Sequence, residues 1–264
     1  MDIPFAHSYA LFHRGKIVAS GGDQRRIYSL ASVTKLLTAR SALIAVERGF
    51  TSLDAPVGPQ GATLAHVLSH ASGMHPEAIV AQVAPEKRRI YSNAGYELIG
   101  VHLEDATGTP FSRWVEEALI EPLGMSLTEV PGSPAHSGRS CIEDLLILAQ
   151  EYLAPTLISP ELAAAEAQPQ FPELAGVVPG YGRQTPCLWG LGPEIRGEKS
   201  PHWTAPGASP ETFGHFGVAG SFLWIDRGRD VAAAFLGEEP FGPWHQEHWA
   251  QFNQELLEQI PEIG

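Results

Sequence analysis

Three short stretches carry residue types able to do chemistry together. The first is Ser32-Val33-Thr34-Lys35, set where an irregular segment turns into a helical pattern. Leu36, Leu37, Leu43 and Ile44 recur at helical spacing, and Gly49 stands where a helix stop belongs. Residues three apart share a helix face, so the Lys35 ammonium is expected to reach the Ser32 hydroxyl. Serine is a weak nucleophile until a neighbour takes its proton, and a helix N-terminus favours the negative oxygen that results. This is the arrangement of an S-x-x-K acyl-transfer site.

The second stretch is Tyr91-Ser92-Asn93, at the start of another predicted helix. A phenol ordinarily titrates near about 10, and a Lys35 cation close by is expected to lower that value. Tyr91 can then take the Ser32 proton, alone or with Lys35, and return one to a leaving group. Asn93 has donors and an acceptor with which to hold Lys35 and a substrate amide. The third stretch is His215-Phe216-Gly217, expected to lie just ahead of a strand from Ser221 to Ile225. Gly217 admits a closely approaching substrate, and the Val218 N–H is expected to join that of Ser32 as an oxyanion hole. His215, with an ordinary pKa near about 6.5, is expected to recognise a carboxylate or steady the leaving group. Each stretch also has a plain reading: Ser32 a cap, Lys35 solvated, Tyr91 a half-buried aromatic, Asn93 an N-cap, Phe216 core. Their company in one chain favours the chemical one.

The elements that must position them follow from pattern. Residues 7–20 read as a hairpin about His13-Arg14-Gly15, followed by the Ser32 helix, running to about Arg48. Thr63 to His70 is a short helix, and 73–90 is a loop with one helical turn at most. A helix from Ala94 to Ala106 closes at Thr107-Gly108. The next opens with Thr109 as cap and Pro110 in its first turn, and ends before Glu121. Ser140 to Glu143 has capping-box form and starts a helix through Tyr152; Pro160 to Ala167 is one more. The Pro- and Gly-rich stretch 168–214 holds one strand, Leu188 to Gly192. Ser221–Ile225 and Val231–Leu236 form a hairpin, and a last helix places Trp249, Phe252, Leu256 and Ile260 on one face. Strands at both ends and helices between predict an α/β (α+β) fold. One sheet is built from N- and C-terminal strands, with an inserted helical lobe. The sheet lobe is expected over about 1–55 and 180–264, the helical lobe over about 56–179, as a single catalytic domain.

The chain has 264 residues, 44% of them hydrophobic and 18% charged, the composition of an ordinary globular protein. A formal net charge of -13 argues against nucleic acid or an anionic membrane as partner, and Arg25-Arg26 and Lys87-Arg88-Arg89 are too short to reverse it. Cys141 and Cys187 have no metal-type spacing and are expected to be buried thiols. No leader pattern opens the sequence and no apolar run reaches membrane-spanning length, so a cytoplasmic protein is expected. His66 and His70 are four apart, yet Val67 breaks H-E-x-x-H, so no metal and no other cofactor is expected. No G-x-S-x-G occurs, which disfavours an α/β-hydrolase.

The three motifs, in this order and separation, resemble those of the serine β-lactamase and penicillin-binding protein superfamily. The likeness is greatest to the class C β-lactamase-like serine hydrolases and esterases. It spans about residues 10–240 and takes in Gly49–Val57, His66–Met74 and Glu121–Met125. The resemblance implies a β-lactamase/transpeptidase-like fold and a serine acyl-enzyme. Ser32 would be the nucleophile, Lys35 and Tyr91 the proton-handling pair, and Asn93, His215, Gly217 and Val218 the substrate-binding residues. The chain departs from Lys-Thr-Gly at its third motif, where Phe216 lacks a hydroxyl and His215 lacks a fixed charge. Both departures favour a small ester or amide over a β-lactam. The chain is short for the superfamily, so the elements around its cleft are expected to be reduced. Alternatives are a D-amino-acid peptidase or carboxypeptidase, a weak β-lactamase, or a non-catalytic acyl- or peptide-binding module on the same fold.

Overall fold

The computed structural model describes residues 2–261. In chain order its strands and helices are β1 (His7–His13), β2 (Lys16–Gly21), β3 (Tyr28–Ser29), α1 (Thr34–Glu47), α2 (Leu64–Leu68), α3 (Asn93–Thr107), α4 (Phe111–Val115), α5 (Glu121–Leu123), β4 (Arg139–Ser140), α6 (Ile142–Leu153) and α7 (Pro160–Ala167). There follow β5 (Gly176–Val178), β6 (Gly182–Gln184), β7 (Glu194–Ile195), β8 (Phe213–Gly217), β9 (Ser221–Asp226), β10 (Val231–Gly237) and α8 (Pro243–Leu257). Six strands form one antiparallel sheet in the order β2-β1-β10-β9-β8-β7. The first and last strands of the chain are therefore neighbours, with His7 opposite Gly237 and His13 opposite Val231.

Alternation along the strands divides the core in two. Ala10 and Phe12 of β1, Leu223 and Ile225 of β9, and Ala232, Ala234 and Leu236 of β10 join the cluster that holds α1, α3 and α6. Leu11, Phe222, Trp224, Val231, Ala233 and Phe235 join the other, under Trp249, Phe252 and Leu256 of α8. The last three share the face expected of them; Ile260 lies just past the helix and packs against the same cluster.

Helix α1 is more buried than one apolar face requires. Every residue from Thr34 to Ala45 is buried. Its polar side chains therefore need partners inside the protein. Thr38 Oγ1 donates to the Pro134 carbonyl at 2.7 Å and Ser41 Oγ to that of Thr38 at 2.8 Å. Arg40 donates to Glu151 at 2.8 Å and Glu166 at 2.7 Å, all three side chains shut from solvent, and lies over the Tyr152 ring at 4.3 Å. These ion pairs fasten α1 to α6 and α7.

The structure corrects several expectations. The helix opened at Pro110 rather than Thr109 does not stop before Glu121: it passes through a π-helical segment, Glu116–Ile120, into α5. No capping box forms at Ser140, because the N-cap is Cys141 and Ser140 lies in β4. Its hydroxyl is engaged with Thr128 at 2.7 Å. Leu188 to Gly192 is not a strand; Trp189 makes a single bridge to Glu194, and the strand is β7. His215 to Gly217 do lie just ahead of the Ser221 strand, as expected, and are themselves part of a strand, β8. Residues 73–90 contain no helical turn. Cys141 and Cys187 are buried free thiols, as expected. Among the described residues no helix is long and apolar enough to cross a membrane.

Removing one partner of a buried ion network leaves the other charges uncompensated. Arg40→Ala is expected to destabilise the protein by about 3–5 kcal/mol, read as a lowered denaturant midpoint with two-state unfolding retained. A midpoint near that of the wild type would show that the network contributes little.

Candidate active site

Ser32 sits in a single 3-10 turn, Ala31–Val33, that leads into α1. Ala31 is held at φ 42°, a region L-residues rarely adopt, so the turn before the serine is strained. It is pressed from the far side by β8: a Cβ on Gly217 would overlap the Leu30 carbonyl and stand 3.0 Å from the Ser32 nitrogen. Glycine is what lets the strand lie against this turn. Ser221 Oγ donates to the same Leu30 carbonyl at 2.8 Å and fixes the junction.

Lys35, one turn on, points back at the serine, with Nζ 3.2 Å from Ser32 Oγ. Nζ also donates to Asn93 Oδ1 at 2.7 Å and to the Ala135 carbonyl at 3.0 Å. The side chain is fully buried, and that loss of hydration pulls its pKa from 10.5 down to about 7, with Glu77 and Glu97 offsetting part of the fall. A neutral amine has two N–H groups and one lone pair. Asn93 and Ala135 take the two donors, which leaves the lone pair for the Ser32 hydroxyl.

Tyr91 and Asn93 flank the cap of α3. Ser92, not Asn93, is that cap: its Oγ accepts from the Gly95 N–H at 3.0 Å and donates to the His75 carbonyl at 2.7 Å. Ser92 is thus the last extended residue, Tyr91 precedes it, and Asn93 is the first helical one. The Asn93 Nδ2 donates to Glu77 at 2.7 Å, which sets the amide so that Oδ1 faces Lys35. Tyr91 Oη donates to Ser32 Oγ at 2.7 Å. Behind the phenol lies His70, ring centres 4.7 Å apart, whose Nδ1 accepts from the Ser92 N–H at 3.1 Å. Burial pushes the Tyr91 phenol well above its ordinary value, and its bond to Ser32 offsets only part of that. The expected lowering is therefore overturned. A phenolate shut away from water loses more hydration than a nearby cation returns.

His215 is overturned in the same way. It is buried between Tyr91 and Trp189, ring centres 5.8 Å and 5.7 Å away. Its Nδ1 lies 2.6 Å from its neighbour Phe216's carbonyl oxygen, so Nδ1 carries the proton. Desolvation, aided by the Lys35 charge, drives its pKa to about 3. At neutral pH His215 is uncharged and cannot grip a carboxylate by charge. Its Nε2 has no hydrogen-bond partner among the described residues. Phe216 is turned by strand alternation into the aromatic cluster of Tyr181, Trp203, Phe241 and Trp249. Val218 follows β8 and, with Ser32, Tyr91, Trp189, Glu194 and His215, lines a cavity of about 40 Å³.

Sequence reasoning missed Glu194. Its buried carboxylate accepts from Trp203 at 2.8 Å and lies 3.1 Å from the Lys199 ammonium and 3.2 Å from His202. Burial would raise its pKa, but Lys199 and His202 hold the carboxyl well below the usual range. The signal was legible as Glu194, Lys199 and His202 clustered within a Pro- and Gly-rich stretch. His66 bonds Thr63 and Glu86 and stacks on Phe171. No cluster of three or more metal-ligating side chains occurs among the described residues.

A family model described as Beta-lactamase matches residues 7–257 of this chain. The chain belongs to the Beta-lactamase family. Its fold is that of the serine β-lactamase and penicillin-binding protein superfamily, a superfamily of serine hydrolases. A crystal structure described as a beta-lactamase from Mycobacterium bovis is 41% identical, with a TM-score of 0.95 over 97% of this chain and 96% of that one. An octameric penicillin-binding protein homologue from Pyrococcus abyssi shares the fold at 19% identity, with a TM-score of 0.75 over 95% of this chain and 73% of that one. Among curated relatives, Penicillin-binding protein 4* of Bacillus subtilis is 26% identical over 39% of this chain and 30% of its own length. The D-alanyl-D-alanine-carboxypeptidase/endopeptidase AmpH of Escherichia coli is 24% identical over 45% of this chain and 40% of its own. The match thus spans less than half the length of these curated relatives.

The low pKa of Lys35 fixes the sign of a stability effect. Unfolded, the amine titrates near 10.5; folded, near 7. Between those values the unfolded chain binds the extra proton, so stability rises with pH across the window and the penalty is complete below 7. Lys35→Met is expected to raise the melting temperature most at pH 6, with a gain that shrinks toward pH 10. A gain that is absent at pH 6, or that grows with pH, would contradict a buried, depressed lysine.

Proposed function

We propose that this protein is a serine hydrolase that forms an acyl-enzyme on Ser32 and acts on a small ester or amide. The observation that carries this reading is the pair of contacts at one oxygen. Ser32 Oγ lies 2.7 Å from Tyr91 Oη and 3.2 Å from a Lys35 nitrogen whose pKa is about 7. Neutral Lys35 accepts the Ser32 proton as Oγ attacks the acyl carbon. Tyr91, protonated at rest, passes its proton to the departing oxygen or nitrogen as the Lys35 proton moves onto the phenol. Water then attacks the acyl group by the same route in reverse and releases the acid. The Ser32 and Val218 N–H groups stand for the oxyanion site, where each donor is worth about 2.7–4 kcal/mol. Asn93 positions the substrate amide or ester beside Lys35.

The uncharged His215 and the inward-turned Phe216 favour esters and simple amides over β-lactams, whose carboxylate would meet no cation at the third motif. The second reading is β-lactam hydrolysis. The description of the 41% identical Mycobacterium bovis structure favours it. Nitrocefin turnover above that of 4-nitrophenyl butyrate would select the second reading.

Ser32→Ala is expected to remain folded while losing turnover and fluorophosphonate labelling; wild-type turnover in that variant would rule out the mechanism. A protein that is never labelled at any pH would be a non-catalytic binding module. For a neutral ester, kcat/KM should rise through a single limb near pH 7, as Lys35 loses its proton. Tyr91→Phe should lower the rate by about two orders of magnitude and leave that limb in place, because the phenol is donor rather than base. A limb that vanishes in Tyr91→Phe would return the base role to Tyr91.

A further inference from the structure

Beside the Ser32 cavity lies a larger cleft of about 680 Å³. Tyr91 and Pro179 line both, so the cleft adjoins the cavity at the serine. The cleft is walled by Pro76 and Gln82, by Lys87–Tyr91, and by the β5–β6 hairpin with Arg183. Its floor is a parallel bridge between Arg89 and Gly176, with the Arg89 N–H donating to the Ala175 carbonyl at 2.8 Å. A Cβ on Gly176 would stand 2.9 Å from the Arg89 Cβ and from its carbonyl, so the bridge closes only on glycine.

The charge of this cleft runs against that of the chain. Acidic residues outnumber basic ones 30 to 17, yet Lys87, Arg88, Arg89 and Arg183 all line it. No carboxylate is among the residues that line it: Glu86 bonds His66, Glu77 bonds Asn93, and Glu173 lies two residues before the lining Ala175. Arg89 is buried, and its guanidinium donates only to backbone carbonyls: Cys187 at 2.5 Å, Gln170 at 2.7 Å, Phe171 at 2.9 Å, and Ser69. Carbonyls satisfy its donors without neutralising its charge, so a fixed cation lies at the floor of the cleft. Lys87 and Arg183 are exposed at the rim, and Arg88 reaches only the neutral Gln82. Between these cations the lining is apolar: Ile90, Val177, Pro179 and Pro76. Val177, a large apolar side chain among them, is 58% exposed.

We propose that this cleft is a substrate subsite for an anionic group, carboxylate or phosphate, borne on an apolar stem of the molecule that acylates Ser32. The inference rests on the reading of Ser32 as the acylated serine. Lys87, Arg88 and Arg183 are its specificity-determining residues, and Arg89 supplies the fixed field. The anion is thus recognised at the rim of the 75–91 and 175–183 segments and not at His215.

The test uses two matched ester pairs on the full chain. One pair carries the charge in the acyl group, 4-nitrophenyl hydrogen glutarate against 4-nitrophenyl methyl glutarate. The other carries it in the leaving group, 4-carboxyphenyl butyrate against its methyl ester. A phosphonate-terminated acyl ester, compared with the glutarate, tells a phosphate-bearing substrate from a carboxylate. At least one anionic ester should exceed its neutral match in kcat/KM by about tenfold at low ionic strength, and the ratio should shrink in about 0.5 M salt. In the Lys87→Glu/Arg183→Glu variant the ratio should fall to about one or below. Because each ratio is taken within one variant, a general loss of activity does not disturb it. Ratios near one in both wild-type pairs, or a ratio untouched by charge reversal, would overturn the proposal. Calorimetric titration of Ser32→Ala with the intact anionic ester reads binding without chemistry. Weaker binding after charge reversal in that background supports the subsite even if the serine mechanism fails. Turnover surviving in Ser32→Ala sinks the mechanism alone.

Discussion

A primary amine held out of water is the constraint on which the rest of this structure depends. Lys35 can be a base near neutral pH only because α1 is buried on all sides, and α1 can be buried only because each of its polar groups has a partner. Arg40 is answered by Glu151 and Glu166, Thr38 by Pro134, and Lys35 by Asn93 and Ala135. The helices that supply these partners must pack around α1 before the site exists. Burial has the opposite effect on the phenol: the dry environment that frees the lysine lone pair keeps the proton on Tyr91. One physical cause therefore divides two adjacent groups into acceptor and donor.

Strand alternation settles the third motif. Phe213, His215 and Gly217 fall on one face of β8 and Gly214 and Phe216 on the other. Gly217 can then press on the turn that carries Ser32, while Phe216 joins the aromatic cluster beneath α8. A phenylalanine in this register adds core rather than chemistry. The dry strand also explains why His215 is neutral: desolvation acts on it before any substrate arrives.

Local pattern carried much of this into the sequence. The hairpins β1–β2 and β9–β10 stand out by their turns, α7 keeps the bounds its proline and alanines imply, and Gly108 at φ 69° ends α3 as a stop signal should. Ser32, Lys35, Tyr91 and Asn93 converge although the two pairs are 58 residues apart in the Lys35–Asn93 contact. What stayed hidden depends on neighbours remote in the chain. The π segment at Glu116–Ile120, the unmade box at Ser140 and the two-residue strand β7 are set by packing, not by local preference. Protonation states were misread for the same reason, since burial at 91 and 215 is contributed by Trp189 and other residues outside each motif.

The four carbonyls gathered by Arg89 make the surroundings of the site a single mechanical unit. Residue 69, residues 170 and 171, and residue 187 belong to three separate connections, yet one guanidinium holds them all. The excursion from 73 to 86 is closed at its neck by Gln82 and Val83 on Gly73, and by Glu86 on Ala71. Arg89 lies outside that neck. The excursion is tied to the site at its start, where the His75 carbonyl holds Ser92, that of Pro76 holds the Ala94 N–H and Glu77 holds Asn93; beyond Glu77 its side chains can be redrawn while the knot beside Tyr91 stays tied. Residues 78–85 are thus a stretch that a designer, or natural drift, can rewrite without touching the contacts around the serine.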